Sequence, residues 1–464
     1  MRSISVASTD TRWWTLEPAP GETLRAALER TLRDAILAGT LRRGVRLPAS
    51  RALALELGVS RGVVNDAYAQ LTSQGFLITR PRMPPIVAHA EVGVVESAQS
   101  TPAHAAPQYD LVPWLPDVNL FPLGRWLATL QRVGRAEGPK ALVYRSSRGE
   151  RALRETLADH LGRTRGVIAD PQHIFITQGT AQALDLLLRL LRTRGATRFA
   201  VEDPSHTIQH DRVRAAGFEL VAQPVDDEGI IVDGLDAAAA LVLPAHQYPL
   251  GMVLSGSRRR DLLEWARSHD RLILEDDYDA EFRYDHEPIR ALQGLAPDRV
   301  VYIGTVSKTL APSLRIGWVA VPPAMVEEAI IQKHLLDYCS PALDQLALNG
   351  FMQSGDYDRH IRRARSTYRR RRDQLVSSLA RHLPEFEIVG IAAGLSLVML
   401  LPDSVDDLAI QLRAARDRVR IRALSRFYAA PGGASGLVLG YGGVHETAID
   451  PAVRTLAASV RAEL

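Results

Sequence analysis

Three short stretches of this chain carry residue types suited to chemistry on an aldehyde cofactor. The first runs Gly304-Thr-Val-Ser-Lys308-Thr-Leu-Ala-Pro-Ser-Leu-Arg315-Ile-Gly. Lys308 follows an apolar run and has small, apolar neighbours. Burial there disfavours the ammonium and lowers its pKa, and a neutral amine is the form that makes a Schiff base with an aldehyde. Ser307 and Arg315 are close enough in sequence to bind one phosphate together. The second stretch is Leu272-Ile-Leu-Glu-Asp276-Asp-Tyr278. Asp276 ends a buried-strand pattern, the place where sites form in α/β sheets. A carboxylate against a pyridine nitrogen keeps that nitrogen protonated and makes the ring an electron sink. Tyr278 is placed to donate to a phenolic oxygen on such a ring. The third stretch, Ile176-Thr-Gln-Gly179-Thr180, reads as strand, tight turn and helix. Its helix N-terminus offers backbone N–H groups to an anion; Gly179 permits close approach and Thr180 adds a hydroxyl. Each stretch alone has a plainer alternative: a snorkelling lysine, a solvated acidic loop, an ordinary α/β turn.

A different chemistry, polyanion binding, is written near the N-terminus. Residues 19–88 hold ten arginines against five acids, whereas the whole 464-residue chain carries only +3. An apolar stripe of Leu24, Leu28, Leu32, Ile36 and Leu37 predicts a helix over 22–38 ending at Gly39. Ser50 starts a second short helix that Gly58 ends, and Ser60 caps a third that Gly75 ends. Two short β-like runs follow, at 76–79 and 86–88. This order describes a winged helix-turn-helix. In its third helix Val64, Ala67, Tyr68 and Leu71 face inward. Arg61 and Asn65 are left to read bases, and Arg51 to reach phosphate.

Residues 89–113, rich in Ala, Ser, Pro and Val, read as a linker. From 114 onward strand-like runs alternate with helical patterns, which predicts a mainly parallel sheet covered by helices. Residues 320–380 read as mostly helical, and the last ~80 as a smaller α+β subdomain. The composition, 46% hydrophobic and 23% charged, excludes a disordered chain, a collagen and a membrane bundle. No stretch is apolar enough for a membrane span and no secretory leader is visible, so a cytoplasmic protein is expected. The single cysteine, Cys339, excludes an internal disulfide and a cysteine-based zinc site, and no metal ligands are assigned. Only three lysines occur among 56 basic residues, Lys140, Lys308 and Lys333, so each attracts attention.

The window 47–76, LPASRALALELGVSRGVVNDAYAQLTSQGF, resembles the GntR family of DNA-binding domains. The usual Gly-Ser-Gly of that family's wing tip is here Pro81-Arg82-Met83-Pro84-Pro85, which leaves Arg82 as the residue to enter the minor groove. The order of phosphate turn, ring acid and lysine resembles fold-type I, pyridoxal 5′-phosphate (PLP)-dependent aminotransferases across about 115–462. The joined architecture resembles the MocR/GabR regulators, and HQYPLG (246–251), EDDYDAEFRY (275–284) and GTVSKTLAPSLRIGW (304–318) are similar to that family specifically. The expected domains are therefore a GntR-type module at 19–88, a linker at 89–113 and an aminotransferase-like domain at 114–462.

By this resemblance Lys308 carries PLP, Asp276 pairs with the pyridine nitrogen and Tyr278 meets the 3′ oxygen. Gly179, Thr180, Ser307 and Arg315 hold the phosphate. His206 occupies the place of a ring-stacking aromatic. The family also implies a double-stranded DNA operator, PLP with or without an amine as effector, and a homodimer reading paired half-sites. Several positions depart from aminotransferases. Tyr248 replaces an asparagine before Pro249, and Tyr144-Arg-Ser-Ser-Arg-Gly149 replaces a small Gly-Asp-Pro run. Val438 stands where those enzymes carry a carboxylate-clamping arginine, and Ile208 where GABA-responsive relatives carry another. Arg145 and Arg426 are the candidate replacements. The missing arginines favour a regulator that senses PLP, of the PdxR type that governs vitamin B6 synthesis, with no catalytic residues assigned. The alternative is an active aminotransferase with a vestigial N-terminal module.

Overall fold

The computed structural model describes residues 16–81, 83–88, 107–284 and 289–464. The chain divides into two compact units, residues 1–104 and 105–464.

In the first unit α1 (Leu24–Leu37), α2 (Ser50–Leu57) and α3 (Arg61–Ser73) precede a two-stranded antiparallel ribbon of β1 (Leu77–Ile78) and β2 (Ile86–Val87). The α1 stripe buries Leu28, Leu32 and Ile36 together with Ala27. Its two ends, Leu24 and Leu37, are half exposed among the described residues. Gly58 takes a left-handed φ of +66° to end α2, which a Cβ would oppose. The Ser60 hydroxyl oxygen then accepts from the Val63 N–H and starts α3. Val64, Ala67, Tyr68 and Leu71 are all buried, and the Tyr68 hydroxyl donates to the Pro48 carbonyl at 2.9 Å. That bond ties α3 to the entry of α2. The unit is a winged helix-turn-helix.

The second unit opens with β3 (Tyr109–Asp110), α4 (Leu123–Glu137) and α5 (Arg151–Arg165). Alternation follows: β4 (Ile174–Thr177), α6 (Gly179–Thr193), β5 (Arg198–Asp203), α7 (Thr207–Ala215), β6 (Glu219–Asp226), β7 (Gly229–Ile230), β8 (Ala239–Val242), α8 (Gly256–Ser268), β9 (Leu272–Asp277), β10 (Val300–Thr305) and β11 (Gly317–Ala320). Among the described residues these eight strands form one sheet in the order β4-β11-β10-β9-β8-β5-β6-β7. The strands from β10 through β6 pair in parallel. β11 runs antiparallel to both of its neighbours, and β7 is antiparallel to β6. Strands β4, β8 and β10 are buried along their whole length, as expected for a sheet with helices on both faces.

Helices α9 (Val326–Asp337), α10 (Ala342–Gln353) and α11 (Asp356–His382) lead to the smaller subdomain. There β12 (Ile388–Val389), β13 (Ser396–Leu400), α12 (Asp407–Arg416), β14 (Val419–Arg420), β15 (Arg422–Ala423), β16 (Gly436–Gly440) and α13 (Glu446–Arg461) follow. An antiparallel sheet of order β12-β13-β16-β15 packs on α11 and α13 around Tyr368, Leu375, Leu397 and Leu456. Of the segment 89–113, expected as a linker, residues 89–106 lie outside the described residues. Its end belongs to the body: β3 pairs with β14, and Leu111 and Val112 are buried. Composition marked the low-complexity stretch, but the edge of β14 captures the two residues that can pair with it.

The end of β9 is held by a buried ion pair. Arg165, at the end of α5, donates from Nε to Asp277 Oδ2 at 2.7 Å and from Nη1 to the Ile289 carbonyl; the Tyr302 hydroxyl donates to the same Asp277 oxygen at 2.7 Å. Both side chains of the pair are almost wholly buried. Arg165→Met leaves Asp277 buried without its cation, and about 3–5 kcal/mol of stability should be lost. A lowered denaturant midpoint, with far-ultraviolet circular dichroism unchanged before the transition, is the check.

Candidate functional site

The chain topology delivers the predicted residues to one end of the large sheet. Strands β4, β5, β8, β9 and β10 all point the same way, and their carboxyl ends lead into Gly179, His206, Tyr248, Tyr278 and Lys308. The return from β10 to β11, residues 306–316, is a loop whose ends pair directly, Thr305 with Gly317. Ser307, Lys308 and Arg315 therefore all sit at that same end. A cavity of about 270 Å³ opens there, lined by Thr180, His206, Asp276, Tyr278, Lys308 and Arg315 among others.

One end of the cavity suits a phosphate. The first turn of α6, beginning at Gly179, presents free N–H groups. Gly179 has a left-handed φ of +76°, and a Cβ there would stand 2.7 Å from Arg315 Nη2. Arg315 donates to the Gln178 carbonyl at 2.7 Å, so its charge is fixed beside the helix terminus. Ser307 accepts from the Thr305 hydroxyl at 2.9 Å. Gly317 lets α6 close on the sheet, since a Cβ at Gly317 would lie 2.9 Å from the Gly179 Cα.

The other end suits a protonated aromatic nitrogen. Asp276 is buried; its Oδ2 accepts from Gln209 at 3.3 Å and its Oδ1 has no partner. Burial, with Asp277 and Asp279 nearby, pushes its carboxyl up to about 7. An unmet carboxylate oxygen in a cavity wall is a site for a cationic donor. The Tyr278 hydroxyl lies 3.4 Å from His246 Nδ1, which is also 3.0 Å from Asp279 Oδ2. His206 caps α7, its Nδ1 accepting from the Ile208 N–H at 3.4 Å. Its ring is 6.0 Å from that of Tyr248 and 5.4 Å from that of Trp114. Burial, then the Lys308 charge, brings the imidazole down to about 4, so a neutral ring faces the cavity at neutral pH.

Lys308 donates to the Trp114 carbonyl at 2.8 Å. Burial lowers its ammonium to about 8, against the opposing pull of Asp279 and Asp276. A lysine at the ordinary value titrates near 10.4. The neutral amine should thus accumulate as pH rises through about 8. Amine-selective labelling of the cofactor-free protein, resolved by peptide mass for Lys140, Lys308 and Lys333, should show a midpoint near 8 at Lys308.

Some participants were not legible beforehand. Trp114, Gln209 and the His246–Asp279 pair touch the predicted residues only through the fold. The two arginines proposed as replacement clamps do not line the cavity. Arg145 is paired with Glu137 and Glu150, and Arg426 is exposed on a short turn. Ile208 does line it, half exposed. In the first unit Arg51, Arg61 and Asn65 are exposed, with Arg51 in the first turn of α2 and Arg61 and Asn65 one turn apart on α3. Arg82 lies outside the described residues.

Residues 24–87 match the model of the bacterial regulatory proteins of the gntR family, and residues 116–437 match that of aminotransferase class I and II. The chain is 32% identical to the pyridoxine biosynthesis transcriptional regulator PdxR of Corynebacterium glutamicum, over 92% of this chain and 94% of that one. It is 31% identical to the probable rhizopine catabolism regulatory protein MocR of Rhizobium meliloti, over 92% of each. Among solved structures it is similar to the kynurenine aminotransferase of Pyrococcus horikoshii (TM-score 0.71, 29% identity, 76% of this chain and 91% of that one). It is also similar to a multiple substrate aminotransferase from Thermococcus profundus (TM-score 0.72, 27% identity, 81% and 98%). No helix among the described residues is long and apolar enough to cross a membrane. An exposed arginine-bearing helix and a cavity lined by a buried lysine and an unmet carboxylate thus occur on one chain, and the chain belongs to the MocR-type transcriptional regulators, in which a GntR-type DNA-binding domain is joined to a PLP-binding domain of the aminotransferase class I and II family.

Proposed function

We propose that the chain is a cytoplasmic, dimeric regulator whose affinity for operator DNA is set by PLP, alone or joined to an amine, and that it governs vitamin B6 metabolism. The observation that carries this reading is the unmet Asp276 Oδ1, buried in the same cavity as Lys308 and the α6 N-terminus. Those groups match an aldehyde, a pyridine nitrogen and a phosphate. When bound, PLP supplies an electrophilic carbonyl and an electron-withdrawing ring. Lys308 holds its aldehyde carbon and Asp276 its ring nitrogen. Tyr278 donates to the 3′ oxygen, the neutral His206 ring stacks on the face, and Gly179, Thr180, Ser307 and Arg315 bind the phosphate. The link to vitamin B6 is supported by the likeness to a regulator named for pyridoxine biosynthesis.

In the same reading residues 19–88 are the operator-binding module and 114–462 the sensing domain. Arg61, Asn65 and Arg82 meet the bases and grooves, and Arg51 meets phosphate. A dimer places two modules on paired half-sites. The protein acts by binding, a reading supported by Val438 and Ile208, which stand where aminotransferases and GABA-responsive relatives carry carboxylate-binding arginines.

The deciding experiment titrates the DNA flanking the protein's own gene with and without PLP, at one fixed salt concentration. A PLP-dependent shift in affinity is expected, lost in Lys308→Ala along with the cofactor's visible absorption band. Turnover of an amino donor by a protein with no DNA affinity would overturn the reading in favour of an aminotransferase. Arg61→Ala should weaken binding to the operator by about 1–3 kcal/mol while changing affinity for unrelated DNA much less; a fluorescence anisotropy series on both DNAs measures the difference.

A further inference from the structure

The small-subdomain sheet turns one face toward the cavity's aromatic wall. In register across it lie Val398 of β13, Val438 of β16 and Arg422 of β15. Directly opposed residues of an antiparallel pair point to the same face, about 5 Å apart. Val398 and Val438 pack with Leu243, Tyr248 and Phe427, and Trp114 and Tyr278 lean on that cluster. Arg422 follows them. Its guanidinium stands over the Trp114 ring, 5.6 Å from the centroid.

This cation is half-buried and poorly matched. Among the described residues no carboxylate lies within ion-pair distance of it, and its one hydrogen bond goes to the carbonyl of its neighbour Ile421 at 3.4 Å. The adjacent Arg420 takes up Asp110. Arg422 exerts its charge on Tyr248, whose hydroxyl is buried in the cavity wall with no partner. Tyr248 is only 6% exposed, so no bulk water satisfies it. A phenol without an acceptor thus lies in the cavity wall, and a guanidinium without an anion stands against Trp114 of the same wall, itself outside the lining. Trp114 links this wall to the reactive end, since its ring carries Arg422 and its carbonyl accepts from Lys308.

We propose that Arg422, reaching from β15, binds the carboxylate of an amine ligand whose amino end lies at Lys308, with Tyr248 donating to the same carboxylate. The inference rests on the cofactor reading above and narrows the amine effector to an amino acid. The arginine that aminotransferases place at the position of Val438 is thereby replaced from the neighbouring strand. A guanidinium meets a carboxylate with two parallel N–H donors, a match that a plain amine cannot use.

The test uses the full-length, PLP-loaded protein with L-alanine, 4-aminobutyrate and n-propylamine as probes. Each is titrated against the cofactor's visible absorption and, separately, against affinity for the operator. At least one amino acid should bind about tenfold or more tighter than propylamine, as a charge-assisted pair requires. Arg422→Gln should bring that ratio near one, and Arg422→Lys should restore part of it. The double variant Arg422→Val, Val438→Arg, which moves the cation one strand over, should recover the preference. Thermal melts establish that each variant is folded. A wild-type protein with a normal cofactor band and no preference for amino acids overturns this inference alone. A preference that survives Arg422→Gln does the same. A protein that never shows the band overturns the cofactor reading, and this inference with it.

Discussion

Carboxylates buried side by side hold their protons unless something meets their charge, and the large sheet is built around that constraint. β9 ends in Glu275, Asp276 and Asp277, all buried in a strand whose neighbours are also buried. Two of the three are answered from within the fold. Glu275 accepts from the Leu292 and Gln293 N–H groups, and Asp277 from Arg165 and Tyr302. Asp276 and Asp277 each keep one oxygen without a hydrogen-bond partner, but Asp277 is paired with Arg165, and of the three only Asp276 lines the cavity. The flanking bonds do not serve Asp276 directly; they pin the strand so that the Asp276 oxygen stays in the cavity wall. The desolvation that pushes Asp276 up to about 7 is the energy a cationic ring nitrogen would relieve.

The same desolvation acts oppositely on the basic groups. It lowers Lys308 to about 8 and His206 to about 4, so the cavity holds a readily neutral amine and a neutral ring. Asp279 resists the first of these shifts, and His246 holds Asp279 at 3.0 Å. The balance at the lysine thus depends on side chains that never touch it. Gly394 belongs to this arrangement: a Cβ there would stand 2.3 Å from the His246 ring and 2.7 Å from the Asp279 carboxylate. Its φ of +70° is one that other side chains rarely adopt.

The DNA-binding unit obeys a simpler rule. Its core is made by α1 and α3 burying Leu28, Leu32, Val64 and Leu71, which leaves the polar face of α3 to solvent. Arg51, Arg61 and Asn65 form no ion pair or hydrogen bond among the described residues, so they are available to an outside partner. An ordinary solvated surface would also leave them exposed. The family match, and the capped turn from Gly58 to Ser60 that sets α3 against α2, make the exposure informative.

Much of this was legible in the sequence because the signals are local. Caps such as Ser60, stops such as Gly58, apolar periods and the run from Gly304 to Arg315 depend on neighbours along the chain, where backbone geometry and desolvation leave few options. The winged module and the alternating body followed from those, as did the three stretches proposed for aldehyde, ring and phosphate. Tertiary structure decided what local pattern cannot carry. The antiparallel β11 turns the loop after β10 back, so that Lys308 and Arg315 meet the turn after β4. Residues near 110, read by composition as linker, are bound by the edge of β14. The missing arginine at 438 was visible, but Arg422 was not, because its relation to Val438 is a cross-strand register between residues sixteen positions apart. Sequence sets which residue types are present and which short segments they form. Contacts between distant segments depend on pairing and burial, and those arise only when the sheet closes.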